Sequence, residues 1–271
     1  MSKNTKPPRN QVVLAGSKVP ATAHADIFSA HAGAGMENVS TKDILIPRIS
    51  ILQALSPQVQ RNKSEYIEGA EPGQICDIGT GVLLPEPLLF LPLHYAKVWL
   101  EWYPRATKRG LAAIHLDDGI LANTTPDEKR RPILPNGNYV AETAQFFGLN
   151  LSGDGQLSFI PMGSTQLKAA KKWLNLSLAE KVCDSQGRTF NPPLFYRAYE
   201  LSTIAQENAE GSWFGWKIER GPQLEQIEGW QDMFQQVLRL REQIKSGEAK
   251  ADMRDMDDAG GTIIDHESGA M

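Results

Sequence analysis

An OB-like β-barrel of five strands, elaborated by long loops, one inserted helix and one C-terminal helix, is the fold this sequence predicts. Three observations lead there. Short runs of period-two alternation recur between residues 75 and 220, turn residues separate them, and only two stretches carry helical periodicity. A β-sandwich or an α+β sheet would produce similar strings.

The elements follow in order. Residues 1–40 are rich in Ala, Gly, Ser, Pro and Asn with little apolar periodicity, and read as a disordered arm. Ordered structure, residues 41–222, opens with ILIPRISILQAL at 44–55. Pro47 points to an edge strand or an irregular segment there. A polar loop leads to a meander with strands at 75–78, 82–84, 88–92 and 95–103. Residues 105–138 are mostly loop with a short strand at 112–116, and DEKRR at 127–131 sits between prolines as an exposed basic loop. Strands follow at 139–149 and 157–161. Ser164 is placed to cap a helix running to about Leu176. Later strands are expected at 194–201 and 213–220. The helix of 223–246 carries a stripe of Trp230, Met233, Phe234, Val237, Leu240 and Ile244. Residues 247–271 read as an acidic disordered tail.

The most informative stretch is HYAKVWLEWYPRATKR, residues 94–109. With period two, Tyr95, Lys97, Trp99, Tyr103 and Arg105 share one side with Glu101, while Ala96, Val98, Leu100 and Trp102 form an apolar side. Rings interleaved with cations suit a single-stranded nucleic acid. Base stacking on an aromatic ring is worth roughly 1–3 kcal/mol and tolerates any sequence, and Lys108 and Arg109 extend the charge. In a sheet covered on both faces, the same rings would be ordinary core.

Three further segments place cations on one face, the last two with rings beside them. In STQLKAAKKWLNL, Lys168, Lys171 and Lys172 fall on one helical face, and Leu167, Ala170 and Leu174 on the docking face. In FYRAYE, Arg197 and Tyr199 alternate on one side with Phe195. In SWFGWKIER, Trp213 and Lys217 share a side. A solvated helix face would also explain the lysines.

Composition narrows the function classes. The chain has 271 residues, 41% hydrophobic, enough to support a core. Net charge is −4, but residues 252–271 hold six acids and one base, which leaves residues 1–251 at +1. Cys76 and Cys183 suggest neither a disulfide framework nor a zinc site. No signal-peptide pattern or membrane span is evident, so a cytoplasmic protein is expected. No HExxH, phosphate-binding loop, dinucleotide fingerprint or nucleophile-elbow pattern occurs. Asp117 and Asp118 beside Gly119 read as a turn rather than a metal pair. Neither catalysis nor a cofactor is expected.

The order IPRISILQALSPQV, YIEGAEPGQI, VWLEWYPR and STQLKAAKKWLNL, over residues 44–216, resembles single-stranded DNA-binding proteins of tailed bacteriophages. The resemblance implies an OB-fold, coating of replication or recombination intermediates, and an acidic C-terminus that addresses replication proteins. It marks the EWYPR strand and the TQLKAAKKW helix as contacts. The expectation is therefore sequence-nonspecific binding of single-stranded DNA, with replication or recombination proteins recruited by the tail. A protein-interaction or transcription-regulating factor acting through its tail and terminal helix is the alternative.

Overall fold

In the strand spanning Leu88–Trp102, β4, fifteen residues run unbroken through Pro92, where the sequence suggested two strands. A proline has no N–H for the ladder, so it is tolerated only where pairing is interrupted. The register against the neighbouring strand shifts between Pro92 and His94, a bulge that accommodates it. The bulge also reverses the alternation. Phe90 before it and Tyr95 after it therefore belong to the same core cluster.

The computed structural model describes residues 31, 34–35, 46–107, 109–153, 155–209 and 211–246. The expectations for the N-terminal arm, for Lys108 and for the acidic tail lie outside them, apart from isolated residues of the arm.

Thirteen strands appear among the described residues: β1 (Ile49–Ile51), β2 (Ile75–Asp77), β3 (Val82–Leu84), β4, β5 (Leu111–His115), β6 (Thr125–Pro126), β7 (Pro132–Ile133), β8 (Tyr139–Asn150), β9 (Leu157–Gly163), β10 (Val182–Cys183), β11 (Thr189–Phe190), β12 (Arg197–Asn208) and β13 (Gly211–Gln223). The main antiparallel sheet has the order β13-β12-β4-β8-β7-β6, with β5 added to β4 and β9 to β8. A small sheet β1-β2-β3 stands beside it, joined to β9 by the Arg48–Phe159 bridge. The result is a mostly β, curled half-barrel consistent with an OB-like α+β fold. The strand expected at 112–116 is β5; the two-residue pairs β6–β7 and β10–β11 were not expected from the sequence.

Two α-helices lie among the described residues. The first, α1 (Leu167–Leu178), is preceded by a 3-10 turn over Ser164–Gln166, and Ser164 makes no side-chain cap. Its Ala170 and Trp173 enter the concave core with Phe90, Phe146, Ile160, Met162, Tyr199 and Trp216. The second, α2 (Trp230–Lys245), covers the convex face. Its expected stripe is the one that packs, with Val237 against Leu91, Leu93, Leu149 and Phe195, and Ile244 beside Val98, Leu100 and Phe147. Gly148 sits where β4 and β8 meet; a Cβ there would lie 2.3 Å from the Leu91 carbonyl and 2.4 Å from the Phe90 ring, so only glycine fits.

Closure of the half-barrel uses side chains. Strand β13 pairs with β12 on one side. On its other side, the Gln53 amide donates to Phe214 O and accepts from Phe214 N–H, both at 2.9 Å. The Gln166 amide donates to the same carbonyl at 2.9 Å and accepts from Trp216 N–H at 3.2 Å. Two primary amides thus imitate a neighbouring strand and satisfy an edge that would otherwise invite foreign pairing.

Candidate nucleic-acid interface

Strand register determines which expected contacts share a surface. Residues directly opposite on antiparallel strands point to the same face. Tyr95 pairs with Phe146, Lys97 with Ala144, Trp99 with Glu142 and Glu101 with Val140, so all eight lie on the concave side. Tyr95 is half-buried, its ring 5.2 Å from Phe146. Burial, helped by the Glu142 carboxylate, raises its phenol above the usual range. Phe146 stacks at 4.1 Å on Trp173 of α1, so an unbroken run of rings connects Tyr95 to the helix that carries the lysines. Lys97 is exposed, its ammonium 5.6 Å from the centroid of the Trp99 ring.

Several expected contacts are corrected by their burial. Trp99 is only 9% exposed, packed with Leu134, Val140, Ile120 and Leu121, so it shows no open face for a base. Tyr199 is 1% exposed, edge-on to Trp173 at 5.5 Å, and shares a 2.8 Å hydrogen bond with the Ser177 hydroxyl. It is a core residue. Both errors have one cause: the concave face that carries Tyr95, Trp99 and Tyr199 is itself covered, by α1 over Tyr199 and by residues 116–134 over Trp99.

The expected cations divide the same way. Arg197 is committed internally, its guanidinium 2.7 Å from Glu180 and donating to Gly221 O at 2.6 Å. Arg220 also reaches Glu180, at 3.3 Å. Lys217 pairs with Glu219 at 2.7 Å. Arg105 sits half-buried in a 3-10 turn over Arg105–Thr107, off the β4 strand. The Arg109 guanidinium sits over the half-buried Tyr103 ring, 3.7 Å from its centroid, a cation–aromatic contact at the surface. Trp213 is half-buried and donates its indole N–H to Gln206 at 2.9 Å. Lys168, Lys171 and Lys172 are all exposed, and none forms an ion pair among the described residues.

One arrangement carried no signal in the sequence. Glu101 is buried, yet its carboxylate accepts hydrogen bonds from Asn138, from Asn136 at 3.3 Å and from His115 Nε2 at 2.9 Å. The pairing requires a proton on that imidazole nitrogen. Burial alone would raise the carboxyl, but the bonds from Asn138, His115 and Asn136 outweigh it and hold Glu101 below the usual range. A carboxylate depressed in the folded state stabilises above its ordinary value, about pH 4.3, and loses that contribution as pH falls through the folded value. The gap in urea stability between wild type and Glu101→Gln should therefore shrink from about pH 6 to about pH 3. A constant gap would mean the carboxylate charge is not what the three donors recognise.

Among the described residues no three His, Cys, Asp or Glu side chains are grouped to hold a metal, and no helix is long and apolar enough to cross a membrane. Asp117 accepts from Gly119 N–H at 2.9 Å, the expected turn. Cys76 is buried and Cys183 exposed, and both are free; burial, reinforced by Asp77, pushes the Cys76 thiol up to about 12.

No curated protein and no solved structure matches the chain. A family description, Pam3 phage gp34-like protein, matches residues 15–250. That span takes in every described strand and both helices, and with it the lysine face of α1 and the ring run behind it; the chain belongs to the Pam3 phage gp34-like protein family.

Proposed function

We propose that this phage protein binds single-stranded DNA without sequence preference during replication or recombination, as a binding protein rather than an enzyme. Its surface would run from Tyr95 and Lys97 across the lysine face of α1. The observation that supports the reading most is the placement of the three lysines. They are exposed, adjacent and without acidic partners among the described residues, whereas Arg197 and Lys217 are paired with Glu180 and Glu219. They also stand in the first half of α1, near the positive end of the helix dipole, where acidic residues would stabilise. Each lysine is therefore set against its helix and its neighbours, and an anionic backbone relieves both strains.

Tyr95 supplies a partly open ring beside Lys97, and the Arg109–Tyr103 pair supplies a second planar surface. The acidic tail, residues 247–271, would recruit replication or recombination proteins. Fluorescence titration with oligothymidylate, with duplex DNA as control and at two salt concentrations, tests the reading. Salt-sensitive binding of the single strand, weak with duplex, supports it. No binding at low salt would sink it and leave the tail-driven interaction factor as the better account.

A further inference from the structure

Residues 116–134 leave β5 after His115 and return to β8 through the turn at 134–138. The two ends of this loop are held together by one side chain. Glu101 accepts from His115 at the outgoing end and from Asn136 and Asn138 at the returning end. Between those ends, Ile120 and Leu121 lie on a small apolar cluster with Trp99, Leu134 and Val140, separate from the three larger cores. Further anchors are the β6–β7 pair, the single Ile133–Tyr139 pairing to β8 and Ile133 on the core of Val98 and Leu100; a loop closed at its neck and held mainly by a satellite cluster is an element of low local stability.

Beneath it lies an unexplained group. The Trp99 indole is nine-tenths buried, and its Nε1–H has no hydrogen-bond partner among the described residues. A buried donor without an acceptor is costly and uncommon in a native structure. Trp99 also continues the row Tyr95, Lys97 along the concave side of β4, with the Lys97 ammonium over its ring. The exposed row therefore ends where the loop begins.

We propose that residues 116–134 are a lid, clasped at its neck by Glu101, which covers a nucleobase site on Trp99. When the lid lifts, the indole gains an open face for stacking and its N–H an acceptor on the base. Lys97 stands ready for the adjoining phosphate. The inference rests on the single-stranded DNA reading and adds to it a concealed subsite with a control element. Because the binding-competent state is only a fraction of the unliganded protein, affinity is reduced by that fraction, and loosening the clasp raises it.

Hydrogen–deuterium exchange on the full chain, with and without an oligothymidylate of about 20 nucleotides, is the test. Amides of 116–134 should exchange faster in the bound state, while those of α1 do not. Glu101→Ala should bind the oligonucleotide about threefold tighter or more, and Trp99→Phe in that background should remove the gain. If the oligonucleotide binds through the lysines but exchange in 116–134 is unchanged or slowed, and Glu101→Ala binds no tighter, the lid is overturned and the function stands. If neither protein binds, both fall. Should Glu101→Ala fail to fold, the exchange result on the wild type decides alone.

Discussion

Replacing Trp173 with alanine will lower the unfolding free energy by about 3–5 kcal/mol, read from urea melts. The indole is fully buried, stacked on Phe146 at 4.1 Å with planes 13° apart, and edge-on to Phe90 at 6.0 Å and Tyr199 at 5.5 Å. Three strands and a helix meet at this ring, so removing it leaves a void that rigid β-structure cannot collapse to fill. Trp173→Phe is the informative companion. The Trp173 Nε1–H finds no acceptor among the described residues, so phenylalanine forfeits ring area but also relieves an orphaned donor. Its cost should be less than half that of alanine. An alanine cost below about 1.5 kcal/mol would mean that α1 does not dock through this residue. Because α1 carries the lysines, DNA binding should fall with Trp173→Ala and survive Trp173→Phe.

Trp173 also shows what was legible in the sequence. Alternation and turn chemistry placed most strands near their observed ends, and the stripe of α2 was readable because a helix facing one apolar surface repeats every 3.6 residues. The docking face of α1 was read as Leu167, Ala170 and Leu174, yet the deepest residue is Trp173, one position aside. Periodicity identifies a stripe and leaves its depth to whatever fills the opposite side. The same reason explains Trp99 and Tyr199. Alternation says that a strand has two faces; only the tertiary path of 116–134 and of α1 says that the face opposite α2 is covered as well. Arg197 was counted as a phosphate contact because its partner Glu180 is distant in sequence, and ion pairing across such a gap leaves no pattern. The Gln53 and Gln166 closure of β13 was equally invisible, since a single glutamine in a loop or at the head of a helix carries no positional signature.

The lysine face of α1 gives the largest expected effect on function. Replacing Lys168, Lys171 and Lys172 together with alanine should weaken oligothymidylate binding at low salt by about tenfold or more, and reduce the slope of log affinity against log salt by about 2. The arithmetic is that each phosphate neutralised on a single strand contributes about −0.7 to that slope. Stability separates this from damage to the fold. All three side chains are exposed, none holds an ion pair among the described residues, and alanine is the better helix former. Removing like charges at adjacent turns and at the positive end of the helix dipole should leave the melting temperature unchanged or slightly raised. Weaker binding with equal or greater stability is the outcome the proposed function expects, because lysines placed for an anionic ligand cost the isolated protein something that the ligand repays. If the salt slope is unchanged by the triple substitution, the face is a solvated surface and DNA, where it binds, is held elsewhere. If stability falls instead, the lysine stems are packing on the barrel and their charge is incidental.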